Sequence, residues 1–423
     1  MTDTANTTET AVPDFPMERA ARCPFDPPPG LKALQAETPL AKVRLSDGST
    51  PWLVTGYDDQ KKVLSDPRVS ADANRPGYPV PRDDKYGDST AKAEGDEDAE
   101  KKQAPGIGFI LMDDPEHARL RRMVTAPFMV KRVEAMRPAV QKIADDLIDR
   151  MLEGPPTTDL VTAFALPLPS LVISELLGVP YADHDFFQEN SKVIVNRDVT
   201  AEQRNQAMGN LIGYLDNLVG EKIDAPGDDL LSGLVGRIEN GELTRIEASQ
   251  IGMLLLIAGH ETTANMIALG TLALLEHPDQ MKLLRENQDD PKFVAGAAEE
   301  LLRYLHITHG GRRRVALEDM EVAGHAVKAG EGLIMANDIG NRDARVFADP
   351  DRLDLTREAR RHVAFGFGIH QCLGQPLARM ELQVVYSTLY KRLPNLKLAC
   401  DIDQIPFKHD ASVYGVYCLP VTW

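Results

Sequence analysis

The run Phe365-Gly366-Phe367-Gly368-Ile369-His370-Gln371-Cys372-Leu373-Gly374 sets one cysteine in a glycine-punctuated turn just ahead of an amphipathic segment. Glycines at 366, 368 and 374 permit backbone conformations and close approaches that a β-carbon forbids, so a flat cofactor could lie against the turn. Cys372 stands at the mouth of a helix predicted from Leu373 to about Lys391. Leu377, Met380, Leu382, Val384, Val385 and Leu389 supply its apolar positions, and Pro376 falls where a helix start tolerates proline. Free amides and the helix dipole at that end lower a thiol's pKa, and the thiolate is the ligating form. A single thiolate on haem iron favours O–O cleavage over reversible oxygen carriage. An isolated Gly-X-X-Cys more often marks a buried structural cysteine. The full string, with its phenylalanines, histidine and glycines in place, points to iron instead.

That string resembles the haem-binding signature of the cytochrome P450 family, with Cys372 at the axial-ligand position, Phe365 and Gly366 beside it, and other family motifs in order from about Asp14 to Trp423. The resemblance implies a mainly α fold with a small β subregion, and haem b held between a long central helix and the cysteine-loop helix. It implies one domain over residues 17–423, preceded by a disordered tail at 1–16.

The residues ask for that central helix independently. Thr244 and Glu247 have capping-box spacing and Pro278 follows the far end, which predicts a helix from Thr244 to about Glu276, roughly 50 Å long. In its middle lies Ala258-Gly259-His260-Glu261-Thr262-Thr263, where helical spacing places Leu255, Ala258, Gly259 and Thr262 along one face. Small residues there leave room over a cofactor, and a hydroxyl faces the room. Taken alone, the favoured meaning is a helix irregularity at Gly259 with Thr262 back-bonded to the carbonyl four residues earlier. The hexamer resembles the family's oxygen-activation motif, which implies that Thr262 and Glu261 orient and relay the protons that dioxygen takes up as its bond breaks. His260 projects from another face and is not counted as a ligand.

Glu300 and Arg303, three apart on a helix, are by themselves an ordinary ion pair worth ~0.3–0.5 kcal/mol. They resemble the family's Glu-X-X-Arg motif, which implies a structural triad with a second arginine, for which Arg352 is the candidate. Two haem propionates need cationic or hydrogen-bonding partners when buried. His117, Arg121, Arg314 and His370 stand where the family places them, whereas each alone is more often a solvated charge. By the same resemblance, a largely apolar pocket draws on Phe109 to Met112, the region from Ile194 to Asp198, Leu255, Leu256, His306 to His309 with Ile307, and Val413 with Tyr414. Such a lining favours a lipophilic substrate.

Composition agrees. The chain has 423 residues, 43% of them hydrophobic, enough for one large α-rich unit. Its net charge of −17 argues against general nucleic-acid affinity. Cys23, Cys372, Cys400 and Cys418 show neither zinc nor disulfide spacing, which fits a reducing cytoplasm. The Thr-rich acidic start has no apolar stretch, so no signal or membrane anchor is expected. A segment at 75–105, rich in Pro, Gly and charge, is expected to be a mobile loop beside the substrate entrance. Strands are expected near Val43 to Leu45, Trp52 to Val54, Val315 to Val322 and Val413 to Leu419.

No flavin or nicotinamide fingerprint is present, so electrons should come from outside, from an iron–sulfur ferredoxin and its reductase. Arg121, Arg122, Arg379, Lys391 and Arg392 are the candidate basic patch for it. Cys23-Pro24-Phe25, Asn341-Arg342-Asp343, His362 to Gly366 and Leu419-Pro420-Val421 look like soluble actinobacterial members acting on polyketides, steroids and related compounds. Pro376 departs from the asparagine common at that place. The implied activity is a monomeric monooxygenase that uses dioxygen to hydroxylate or epoxidise a lipophilic small molecule. Peroxide-driven oxidation, rearrangement of an oxidised substrate, or non-catalytic haem sensing are the alternatives, and none of them needs the Thr262–Glu261 pair.

Overall fold

In a computed structural model, residues 12–20, 23–80, 108–195, 199–308, 310–409, 411 and 413–423 are described. Residues 1–11 of the expected tail, 81–105 of the expected loop, 196–198 and His309 lie outside them.

The central helix, Arg245–Glu276, begins as its capping box dictates. The Thr244 hydroxyl accepts from the Glu247 amide at 3.1 Å, and the Glu247 carboxylate accepts from the Thr244 amide at 2.7 Å. It is apolar all round, the pattern of a helix enclosed by others. By length and composition it could cross a membrane, and 72% of its most apolar window is buried within the protein. Helices Pro167–Leu177 and Ala201–Asp224 pack on it, as does the cysteine helix, Gln375–Arg392. Two phenols fasten the cysteine helix to it: Tyr386 donates to the Met266 carbonyl and Tyr390 to the Thr271 hydroxyl, each at 3.0 Å. Helices Val130–Glu153 and Pro291–Tyr304 cover the cysteine helix elsewhere.

The β structure is small. A five-stranded sheet runs in the order Leu40–Lys42, Trp52–Val54, Gly332–Met335, Arg312–Ala316, Val69–Ser70, with Trp52 parallel and opposite Leu333. Thr157–Asp159, Pro420–Thr422 and Lys397–Leu398 form a second sheet.

Three expected elements are redrawn. The tail was expected to run to residue 16, yet Phe15 is buried and its amide donates to the Arg44 carbonyl at 2.8 Å. The strand expected at Val315 to Val322 divides into Arg312–Ala316 and Met320–Val322: the chain bends at Leu317 and Glu318, where the Leu317 amide donates to the Arg68 carbonyl at 2.8 Å, and Asp319 then accepts from Ala329 and Lys328. Val413 to Leu419 forms isolated bridges instead of a strand. Its amides are taken singly by different segments, Tyr414 donating to Ile307 and Tyr417 to Pro406.

Candidate active site

The cysteine loop is folded on itself before its helix begins. The Cys372 amide donates to the Phe365 carbonyl at 2.9 Å, Gly366 to Val363 at 2.8 Å and Gln371 to Gly368 at 3.0 Å. Gly366 and Gly368 hold φ of +72° and +74°, and a β-carbon at 368 would lie 2.1 Å from the Leu64 carbonyl. Only glycine fits there. Burial pushes the Cys372 thiol up, against Arg312, the Gly374 amide, Arg121 and Arg379, which pull it down. The helix start alone therefore does not make the thiolate, as the sequence suggested; bonding to a cation would complete what these donors begin.

His117 and Arg121 share one face of the helix Glu116–Thr125, as their spacing requires. The His117 ring lies 4.1 Å from that of His370, centroid to centroid. Burial holds His370 down to about 3, with Arg314, His117 and Arg121 acting on it in the same sense. The four expected propionate partners thus form one cluster. His117 Nδ1 faces Asp114 at 3.1 Å, while its buried Nε2 has no partner. Arg121 reaches the Gln371 carbonyl, and Arg314 is 8% exposed with Nη1 on the Arg313 carbonyl at 2.7 Å. Buried nitrogen donors beside a cysteine, with glycines keeping the backbone close, fit a flat dianionic macrocycle carrying iron.

Across from this, the buried central helix opens at one place. Ala258 is exposed and Glu261 and Thr262 are partly so, between turns that are almost wholly buried. Thr262 donates to the Ala258 carbonyl at 2.7 Å, the back-bond its position suggested. Glu261 lies 3.2 Å from the Lys408 ammonium. Gly259 points elsewhere: a β-carbon there would meet Ile173 at 3.3 Å, so it serves the packing of Pro167–Leu177. His260 is 2% exposed, and burial, helped by Lys408, holds it down to about 4.

Glu300 and Arg303 are both fully buried and bonded through two nitrogens, at 2.7 and 2.8 Å. The third member is Arg357, not Arg352. Arg357 Nε donates to Glu300 at 3.1 Å, whereas the Arg352 side chain is 65% exposed and pairs with Asp354. Only the Arg352 carbonyl joins the network, accepting from Arg303 at 3.3 Å. Arg303 also donates to the Asn341 and Pro350 carbonyls, and Asn341 accepts from the Val363 amide at 2.8 Å. The network therefore anchors the chain that enters the cysteine loop.

Of the residues expected to line a pocket, Leu255 is 7% exposed and near Ala258 on the same face. Leu256 is 1% exposed and about 200° round the helix from Ala258, so it belongs to the core and not the pocket. Ile307 and Val413 are brought together, since Thr308 bridges Val413 and Tyr414 donates to Ile307 at 2.7 Å. Ile194, partly buried on the helix His184–Val195, packs against the core. Phe365 lies under the Arg379 guanidinium, 4.5 Å from its ring centroid.

The expected basic patch is largely neutralised. Arg379 pairs with Glu299, Lys391 with Asp289, and Arg392 with Asp145 and Asp149. The sequence reading missed Lys408, which only the fold brings to Glu261, and Arg312. Strand alternation could have revealed Arg312, because it shares a face with Arg314.

The chain matches the family model described as Cytochrome P450 over residues 85–394. It is 52% identical over 414 residues to cytochrome P450 GfsF of Streptomyces halstedii, covering 97% of this chain and 96% of that protein. The crystal structure of GfsF superposes with a TM-score of 0.90 at 52% identity, over 97% of this chain and 100% of that one. The vitamin D3 dihydroxylase of Streptomyces griseolus is 45% identical over 428 residues, 100% of each chain. The 20-oxo-5-O-mycaminosyltylactone 23-monooxygenase of Streptomyces fradiae is 39% identical over 405 residues, 96% of this chain and 91% of that one.

Proposed function

The chain belongs to the cytochrome P450 family of haem-thiolate monooxygenases, and from that premise we propose that it hydroxylates an unactivated carbon of a lipophilic macrolide-, steroid- or terpenoid-like compound with electrons from a ferredoxin. The observation that carries this reading is the pairing of a cation-surrounded Cys372 loop with a central helix opened at Ala258 and Thr262. Relatives named for a vitamin D3 and a mycaminosyltylactone substrate support a large lipophilic ligand.

Cys372 would hold the haem iron, and His117, Arg121, Arg314 and His370 its propionates. Bound haem supplies the activation of dioxygen, so that substrate C–H, O2, two electrons and two protons yield the alcohol and water. The protein's part is to deliver those protons. Glu261, paired with Lys408, would pass protons from that side of the central helix. The Thr262 hydroxyl commits its own proton to the Ala258 carbonyl, so its oxygen lone pairs act as an acceptor that holds a protonated group or water in line.

Exposed Arg122 and Lys131, with exposed Met129 and Val130, sit near the start of the cysteine helix, where Gly374 approaches the Phe128 ring. This mixed cationic and apolar surface suits an acidic ferredoxin. The enzyme would act as a cytoplasmic monomer.

The deciding experiment is the absorption spectrum of the dithionite-reduced protein under carbon monoxide. A strongly red-shifted Soret band is expected. Its absence from folded, haem-replete protein would remove Cys372 as ligand and the proposed reaction with it.

A further inference from the structure

We propose that Arg312 is a carboxylate-binding residue, its guanidinium receiving a carboxylate presented beside Cys372 by either a haem propionate or an acidic substrate. The inference rests on the haem-thiolate reading above.

Arg312 lies on the strand Arg312–Ala316, whose alternation puts Arg312 and Arg314 on one face and Arg313 on the other. Arg313 accordingly donates away, to the Pro79 carbonyl at 3.1 Å. Arg312 Nη2 donates to the Ala364 carbonyl at 3.0 Å, while its buried Nε has no acceptor. None of the ion pairs among the described residues includes Arg312. The charged groups that act on it are Cys372 and Arg314, and Arg314 repels it.

A partly buried guanidinium whose Nε is closed off from water without an acceptor or counter-ion is unfavourable, and the Ala364 carbonyl alone does not neutralise it. A Cys372 thiolate bound to iron has its charge already engaged. The planar fork of a guanidinium matches a carboxylate in shape as well as charge. Gly366 keeps the approach open, since a β-carbon there would stand 2.9 Å from Arg312 Nε. His306, 8% exposed and with an unpartnered Nε2, lies within electrostatic reach on the pocket side. Arg314, His117, Arg121 and His370 already serve the propionate cluster, so Arg312 is either an additional partner for the cofactor or the acid-recognising group for the substrate.

Two measurements on the holoenzyme and on Arg312→Gln and Arg312→Lys test this, once wild-type protein has shown the red-shifted carbon monoxide band. If that band is missing, the function proposed above fails and this test is not the one that sank it. In the first, decanoate and methyl decanoate are titrated into ferric protein and the Soret shift is followed. Acid recognition predicts that decanoate binds about tenfold or more tightly than its ester, and that Arg312→Gln erases the preference while Arg312→Lys keeps part of it. In the second, haem transfer to excess apomyoglobin is timed with protohaem and with its dimethyl ester. Propionate binding predicts about tenfold faster loss from Arg312→Gln, an increment that disappears with the ester. Arg312→Gln with the wild-type melting temperature, no change in acid preference and no change in haem loss would overturn the proposal.

Discussion

The Lys408 ammonium stands 3.2 Å from the Glu261 carboxylate, joining a C-terminal segment to the middle of the central helix across 147 residues of sequence. Both side chains are largely shielded, at 10% and 17% exposure, so the contact is better protected from solvent than a surface pair. Glu261→Gln is expected to slow turnover about 100-fold and to enlarge the solvent deuterium isotope effect, as proton delivery becomes limiting. Lys408→Met keeps the carboxylate and should slow turnover by less than Glu261→Gln. Steady-state rates in H2O and D2O check both, and a Glu261→Gln variant with a normal rate would exclude the relay.

Thr262 predicts a different signature. Thr262→Ala removes an acceptor and leaves Glu261 in place. Electrons should still be consumed, while product per electron pair falls on the order of tenfold and hydrogen peroxide appears in its place. Peroxide assays alongside product quantification decide the matter; undiminished coupling would sink the role.

The Glu300 network separates two arginines that the sequence could not. Arg303→Leu leaves Glu300 buried with less compensation and should cost about 3–5 kcal/mol. Arg357→Leu should cost less but clearly, whereas Arg352→Ala should leave the melting temperature unchanged. Thermal denaturation of the three variants checks the order, and equal losses for Arg352 and Arg357 would refute the assignment.

Glu381 supplies a pH dependence. It is fully enclosed in the cysteine helix with Oε2 unpartnered, and burial pushes its carboxyl up to about 8. Its unfolded pKa is near 4.3. A raised folded pKa gives stability that is present below about 4.3 and lost as pH climbs to about 8. Glu381→Gln has no such loss. It should match the wild type near pH 4 and exceed it by roughly 4 kcal/mol at pH 8, which chemical denaturation at the two values would reveal. A constant difference across that range would contradict the buried neutral acid.

Features carried by local spacing were legible in the sequence. The Thr244–Glu247 box fixed the start of the central helix, and the glycine pattern around Cys372 announced its loop. His117, Arg121, Arg314 and His370 gathered as the family resemblance implied. Choices made by tertiary turns were not legible. Arg352 and Arg357 lie in the same charged stretch, and only the path of the chain past Asp349 and Asp354 turns one to solvent and the other to Glu300. The family resemblance put Leu256 in the pocket beside Leu255, although one helical step carries it toward the core. The basic residues were read without their acids: Asp145 and Asp149 reach Arg392 from another helix.

The short C-terminal segment that carries Lys408 also carries Val413, which bridges Thr308 on the pocket side, and the Lys408 amide donates to Gly415 at 2.9 Å. A single stretch of chain therefore joins a residue of the proposed pocket wall to the carboxylate proposed as proton relay. An exchange at Val413 made to admit a new molecule is expected to disturb the Lys408 contact that holds Glu261 as well. If both proposed roles hold, substrate range and thrift with oxygen should change together, and libraries at Val413 should be screened for peroxide leakage as closely as for new products.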